Sequence, residues 1–279
     1  MAKRKTVADI LAMKAAGKKV TILTAYDASM AALLAGCDVD VLLVGDSLGM
    51  VVLGYDSTVP VTMEEMIHHA AAVRRGAPGA FVIGDMPFGS YQSSPRDAII
   101  NGTRFLKEAG CDAVKLEGGM EVCATVAAMV GAGISVMGHI GLTPQTATQL
   151  GGYKVQGRDL ESARKMVAAA KGLQQAGAFG LVLECIPDQL ARIISDTLSI
   201  PTIGIGAGVH CDGQVLVTHD LLGMFEKFIP SFVKTYTSLA PLIKENVTCY
   251  VEEVRRGVFP DEAHSFTTQF DFSELVRQK

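Results

Sequence analysis

The hydrophobic positions of the chain follow two alternating patterns. Short runs rich in β-branched and aliphatic residues are separated by longer, alanine-rich stretches in which apolar residues recur at helical spacing. Continuous apolar runs indicate strands that are buried on both faces, as in a parallel sheet covered by helices. The runs predict eight strands: KVTILTAY (19–26), VDVLLVGD (39–46), AFVIGD (80–85), DAVKLE (112–117), ISVMGHI (134–140), FGLVLE (179–184), IPTIGIGA (200–207) and QVLVTHD (214–220).

The stretches between the strands predict helices, several of which begin at proline or end at glycine. Eight alternating strands in a chain of 279 residues match a closed (β/α)8 TIM barrel, and the strand count disfavours an open doubly wound sheet. We expect one domain over residues 1–279, with a capping helix (7–17) below the barrel. A C-terminal helical extension is expected from Leu221 to about Gly257, with interruptions near Pro230 and Pro241. The main helices between strands are predicted at 63–76, 95–110, 160–177 and 187–198.

The composition limits the classes of partner. The net charge is -4 and the basic residues are scattered, so no surface for nucleic acid or an anionic membrane is predicted. No apolar segment of about 18 residues occurs, which argues against a membrane span and a secretory leader. The six cysteines occur singly, as is typical of free thiols in a reducing cytoplasm. A small-molecule substrate and a cytoplasmic location are therefore expected.

Acidic residues stand at the ends of four predicted strands: Asp46, Asp85, Glu117 and Glu184. Active sites of parallel barrels lie where the strands end. Any one of these acids could simply cap the following helix. Four carboxylates at one barrel mouth repel each other unless a cation neutralises them, and oxygen ligands suit Mg²⁺ before Mn²⁺. The pattern therefore predicts a magnesium site that can chelate a 2-oxo acid through its carboxylate and ketone oxygens.

Lys115 and His139 accompany these acids. Lys115 and Glu117 are two residues apart on one strand, so both face the same pocket, where Lys115 can meet a substrate anion. The alternative is a partly buried ion pair that braces the barrel, although such pairs add little net stability. His139 also stands at a strand end and is predicted to contact substrate; the alternative is a core histidine bonded to the backbone.

Glu184 is separated from the metal acids and follows five largely apolar residues, an environment that suits a general base taking a proton from carbon. Its alternative role is as the N-cap of helix 187–198, which Pro187 already opens. The pair His219 and Asp220 lacks the other ligands of a metal hydrolase and is interpreted as structural. The run GIGAG (204–208) has Val209 where a dinucleotide fingerprint requires glycine.

Several separated motifs resemble the ketopantoate hydroxymethyltransferase family, over roughly residues 5–268. The resemblance implies a barrel of the phosphoenolpyruvate mutase and isocitrate lyase type. It also implies homo-oligomers, often decamers. The motifs are TAYDASMA (24–31), VGDSLGMVVLGYDSTVPVTMEEMIHH (44–69), GDMPFGSYQSS (84–94), AVKLEGG (113–119), MGHIGLTPQ (137–145), LVLECIP (181–187), IGIGAG (203–208), DGQVLVTHDLLG (212–223) and FPDEAHSF (259–266).

The resemblance further implies the reaction, a hydroxymethyl transfer from 5,10-methylenetetrahydrofolate to 3-methyl-2-oxobutanoate through a magnesium-stabilised enolate. Asp46 and Asp85 would bind the keto acid on one Mg²⁺ per subunit, with Glu117 completing the metal site. Ser47 and Lys115 would hold the substrate, and Glu184 would accept the C3 proton. Two alternatives stay open: a magnesium-dependent lyase or mutase acting on other 2-oxo acids, and a non-catalytic scaffold that binds keto acids.

Overall fold

The computed structural model describes residues 4–227 and 229–276. Within these residues, eight parallel strands close into a barrel in the order β1 to β8, with β8 pairing back onto β1. This architecture confirms the predicted (β/α)8 TIM barrel. The strands are β1 Val20–Thr24, β2 Val41–Val44, β3 Phe81–Asp85, β4 Ala113–Glu117, β5 Val136–Gly141, β6 Gly180–Glu184, β7 Thr202–Ile205 and β8 Gly213–Leu216.

Helices separate most of the strands along the chain, as the alternation of patterns predicts. They are α1 Val7–Ala15, α2 Ala28–Ala35, α3 Leu48–Val51, α4 Met63–Gly76, α5 Pro95–Lys107, α6 Cys123–Gly131, α7 Leu160–Gln175, α8 Asp188–Thr197, α9 Thr218–Leu221 and α10 Leu239–Arg255. Short 3₁₀ turns lie at Met120–Val122, Pro144–Thr146, Glu262–His264 and Ser273–Val276. No helix among the described residues combines the length and the apolar character that a membrane crossing requires.

The helix starts follow local capping chemistry. The Thr62 hydroxyl accepts a hydrogen bond from the Glu65 backbone N–H at 3.2 Å, and the Glu65 side chain bonds back to the Thr62 N–H. At α5 the Ser94 hydroxyl accepts a hydrogen bond from the Asp97 backbone N–H at 3.1 Å, and Pro95 occupies the first turn, where no N–H is needed. These caps fix the helix starts, and with them the loops that lead away from the carboxyl ends of the strands.

The lower part of the barrel interior is a separate apolar core. It is built from inward-facing strand residues such as Ile22, Phe81 and Val182, and Ile10 of α1 is fully buried against it. Helix α1 therefore closes the amino-terminal end of the barrel. Burial of these side chains removes apolar surface from water, at roughly 25 cal/mol per Å².

Two predictions at the end of the chain were wrong. Strand β8 stops at Leu216, and residues 218–220 of the predicted strand belong to the short helix α9. The described residues between Leu222 and Ser238 are not helical; Phe225, Phe232 and Val233 from this segment instead line the mouth of the barrel. Helix α10 begins only at Leu239, and Pro241 lies in its first turn, where proline does not interrupt a helix.

Candidate active site

A cavity of about 510 Å³ opens at the carboxyl end of the barrel. All of the predicted site residues line it, although they come from five different strand ends. They are Asp46, Ser47, Asp85, Lys115, Glu117, His139 and Glu184. The strand register explains part of this convergence, since Asp85 pairs with Lys115 and Glu117 pairs with His139 across neighbouring strands.

Asp46 and Asp85 form the acidic floor of the cavity. The Asp46 backbone N–H donates a hydrogen bond to Asp85 Oδ2 at 3.2 Å, which holds the two residues side by side. Burial, with further repulsion from neighbouring carboxylates, raises the pKa of Asp46 well above its ordinary value. Burial likewise raises the pKa of Asp85, even though Lys115 opposes the rise. A cation bound between the two carboxyl groups would stabilise their ionised forms, so cation binding is favoured at this floor.

Lys115 supplies positive charge beside this floor. Its Nζ lies 2.8 Å from Asp85 Oδ1 and 3.9 Å from Glu117 Oε1. Burial alone would lower the pKa of Lys115, but the charges of Asp85 and Glu117 outweigh that effect and hold the pKa above its usual value. Lys115 is therefore an ammonium inside the cavity, where it can bind an anionic oxygen.

His139 connects the acidic floor to the opposite wall. Its Nδ1 lies 3.4 Å from Glu117 Oε1, and its Nε2 lies 3.2 Å from Glu184 Oε2. Burial and the nearby Lys115 ammonium lower the pKa of His139, but the two carboxylates outweigh them and raise it to about 9. His139 thus orients both glutamates, and the alternative of a histidine bonded only to the backbone is not what the structure shows.

Glu184 ends β6 and its side chain is 14% exposed, toward the cavity. The N-cap of α8 is Pro187, and no side-chain cap bond is made there. The alternative role of Glu184 as a helix cap is therefore wrong. The imidazole of His139 lies between Glu184 and Glu117 and so connects the two carboxylates.

Ser47 follows Asp46 at the start of α3. Its Oγ lies 2.9 Å from the Tyr26 hydroxyl and makes no cap bond to the helix, so the pair presents hydroxyl groups beside Asp46.

Two residues missed by the sequence reasoning hold the acids in place. Gln145 Nε2 donates to Asp46 Oδ2 at 2.9 Å, and the Gln145 backbone N–H donates to Glu117 Oε2 at 3.1 Å. The Tyr91 hydroxyl donates to Gln145 Oε1 at 2.7 Å. Both residues occur in the motifs GDMPFGSYQSS and MGHIGLTPQ, but neither stands at a strand end, so strand-end chemistry does not reveal them.

A hard cation fits the floor of the cavity. Among the residues that the structure describes, no group of three His, Cys, Asp or Glu side chains forms a ready-made metal cluster. Asp46 and Asp85 can provide two carboxylate ligands, which is the kind of sparse oxygen set with which Mg²⁺ keeps several waters. Glu117 is already engaged, since Oε2 accepts from Gln145 and Oε1 lies near His139, so it is better suited to bind the water shell of the ion.

Comparison with known proteins identifies close relatives along the whole chain. A family profile described as Ketopantoate hydroxymethyltransferase matches residues 4–262. A 3-methyl-2-oxobutanoate hydroxymethyltransferase of Desulfotalea psychrophila is 65% identical over 273 residues, covering 98% of each chain. One of Carboxydothermus hydrogenoformans is 59% identical, covering 98% of this chain and 99% of the relative.

Solved structures with the same fold are more distant in sequence. A phosphoenolpyruvate phosphomutase from Streptomyces platensis subsp. rosaceus aligns with a TM-score of 0.61 at 15% identity, covering 91% of this chain and 88% of that one. A 2,3-dimethylmalate lyase of the PEP mutase/isocitrate lyase superfamily aligns with a TM-score of 0.59 at 14% identity, covering 94% and 89%. These likenesses concern the fold alone, and they agree with the predicted (β/α)8 barrel.

Proposed function

The chain belongs to the ketopantoate hydroxymethyltransferase family, and we propose that it transfers a hydroxymethyl group from 5,10-methylenetetrahydrofolate to 3-methyl-2-oxobutanoate, giving ketopantoate. One observation carries the proposal. This chain is 65% identical to a 3-methyl-2-oxobutanoate hydroxymethyltransferase, and seven side chains suited to that reaction line one cavity. The reaction would be the first committed step toward pantothenate and coenzyme A.

The floor of the cavity would hold the keto acid. We propose that Asp46 and Asp85 hold one Mg²⁺, with Glu117 at its water shell. Mg²⁺, when bound, would supply positive charge to the carboxylate and ketone oxygens of the substrate and so make its C3 proton more acidic. Ser47 and Lys115 would bind the same oxygens, Lys115 through an ammonium that is already desolvated.

Glu184 would take the C3 proton on its carboxylate. His139 Nε2, 3.2 Å from Glu184 Oε2, would orient that carboxylate toward the substrate. The electron pair left at C3 would then form the bond to the one-carbon unit of the folate, giving a quaternary carbon that bears CH2OH. One water would supply the hydroxyl oxygen, and the two carbon–nitrogen bonds of the donor would break, so that tetrahydrofolate leaves with its nitrogens protonated. Proton transfer by a positioned carboxylate contributes about 10²–10⁴-fold in rate.

The assembly is proposed to be a homo-oligomer, a decamer as the family resemblance implies. Helix α10 supports a contact with a second copy, because Ile243, Val247, Tyr250 and Val254 lie about one or two turns apart and are each 45–55% exposed. Light scattering after size-exclusion chromatography measures the state, and a monomeric mass would contradict it.

The test is an assay with protein, Mg²⁺, 3-methyl-2-oxobutanoate and 5,10-methylenetetrahydrofolate. Ketopantoate should form only when all four are present. Cleavage of other 2-oxo acids without folate would favour a lyase or mutase. Binding of keto acid without any turnover would favour a non-catalytic scaffold.

A further inference from the structure

The wall of the cavity opposite the acidic floor carries a carboxylate that the proposed chemistry does not use. Asp220 lies in α9, immediately after β8, and in the closed strand order β8 is opposite β4, which bears Lys115 and Glu117. Asp220 lines the cavity and is only 7% exposed. If Asp220 had a purely structural role, its buried carboxylate would need a hydrogen-bond or ion-pair partner in the protein.

No such partner is found in the described part of the chain. Asp220 Oδ1 is buried there with neither a hydrogen bond nor an ion pair, whereas the buried Asp85 Oδ1 has the Lys115 ammonium at 2.8 Å as its ion-pair partner. Burial raises the pKa of Asp220 to about 6. A buried acceptor without a donor is costly, so the carboxylate is suited to a ligand that brings hydrogen-bond donors.

The position of Asp220 is fixed by the barrel. The Thr218 backbone N–H donates to Thr24 Oγ1 at 3.0 Å, and the Thr218 hydroxyl donates to the Thr24 carbonyl at 2.5 Å. These bonds tie the start of α9 to the end of β1. The carboxylate therefore belongs to a rigid wall, as preorganised ligand sites require.

The surface around Asp220 is apolar and partly aromatic. Val215, Val217, Phe225 and Phe232 line this side of the cavity. Phe232 lies close over Gly206, whose φ is +63°; a Cβ there would come within 2.8 Å of the ring, so glycine is needed for this packing. The volume of about 510 Å³ lies within the roughly 300–1,000 Å³ of sites that bury drug-sized ligands, so there is room for a ring beside the small keto acid.

We propose that Asp220 accepts hydrogen bonds from the 2-amino group and N3–H of the pterin ring of the folate donor, with Phe225 and Phe232 against the ring. This inference rests on the proposed function and assigns the β8 side of the cavity to the one-carbon donor. An ionised carboxylate only accepts hydrogen bonds, and the two pterin donors are planar and adjacent, as in the bidentate pairing of a guanidinium with a carboxylate.

The experiment measures binding of two probes by calorimetry in the presence of Mg²⁺ and 3-methyl-2-oxobutanoate. The probes are tetrahydrofolate and an analogue in which a methyl group replaces the 2-amino group. The unaltered protein should prefer tetrahydrofolate by about 10- to 100-fold. Asp220→Asn should weaken tetrahydrofolate binding by a similar factor and lose most of that preference. Asp196→Asn, at an exposed position on α8, is the matched control and should bind like the unaltered protein.

Several outcomes would overturn the assignment. Equal binding of the two probes by the unaltered protein would do so without any variant, and so would an Asp220→Asn protein that binds tetrahydrofolate normally or loses the same factor for both probes. If the unaltered protein neither binds tetrahydrofolate nor forms ketopantoate, the proposed function fails as well. If the Asp220→Asn protein forms ketopantoate and binds tetrahydrofolate as the unaltered protein does, the pterin contact alone is overturned and the proposed function stands.

Discussion

The two ends of the barrel interior use the same strands for opposite purposes. At the lower end, inward-facing residues are apolar and belong to the core that Ile10 closes. Two residues further along four of these strands, β3 to β6, the same face carries ionisable groups. The paired positions are Ile83 and Asp85 on β3, Ala113 and Lys115 on β4, Met137 and His139 on β5, and Val182 and Glu184 on β6.

The two layers, only two residues apart along a strand, have different roles: the lower one stabilises the fold and the upper one carries the chemical groups. Burial of apolar surface in the lower layer stabilises the folded state. The upper layer buries charges, which is unfavourable unless partners or ligands compensate them. Substitutions in the upper layer should therefore change turnover, whereas substitutions in the lower layer should change the free energy of unfolding.

The largest effect is expected at the acidic floor. Asp46→Ala or Asp85→Ala should abolish magnesium-dependent turnover, because each removes a charged oxygen ligand from a site with few protein ligands. Activity should be measured across a magnesium titration. Full activity in either variant would show that the floor does not hold the ion.

A fall of about 10²–10⁴-fold is expected for Glu184→Gln, because the amide keeps the size of the side chain but cannot accept a proton. The measurement is loss of deuterium from C3 of 3-methyl-2-oxobutanoate to water, followed by NMR with enzyme and Mg²⁺. Glu161→Gln, at an exposed position on α7, serves as the control. Unchanged exchange in Glu184→Gln would move the base elsewhere, with His139 the next residue to test.

Lys115→Met should lower kcat/KM by about 10²–10³-fold, the range for loss of one donor that stabilises developing negative charge. The protein should remain folded by circular dichroism. Lys14→Met is the matched control at the lower end, where Lys14 Nζ lies 2.7 Å from Asp212 Oδ2; it should lower the Tm without changing kinetics. If Lys115→Met behaves like Lys14→Met, Lys115 is a brace.

The smallest effect on turnover is expected in the lower layer. Ile83→Ala removes a fully buried side chain and should lower the free energy of unfolding by about 2–5 kcal/mol. Its kcat/KM should stay close to that of the unaltered protein at a temperature where both are folded. Denaturant unfolding and steady-state kinetics measure the two quantities. A large kinetic loss with little change in stability would remove the distinction between the layers.

Much of the barrel could be predicted because strand burial leaves a local signal. For β3, β4 and β6, the predicted strands end at the same residue as the observed ones. The end of the chain was harder, because the partly buried Phe225, Phe232 and Val233 line the mouth of the cavity and do not form the apolar face of a helix. An apolar pattern alone does not distinguish these two environments.

The sequence by itself determined the barrel class and the residues at the strand ends, because burial and the two-residue period of a strand are local properties. Tertiary structure decided which of these groups meet. Gln145 reaches Asp46 across 99 residues, and His139 links Glu117 to Glu184. Asp220 lies in the cavity wall, where its Oδ1 has no hydrogen-bond partner among the residues that the structure describes. Such contacts depend on closure of the barrel and on the course of its loops, and no spacing along the chain contains that information.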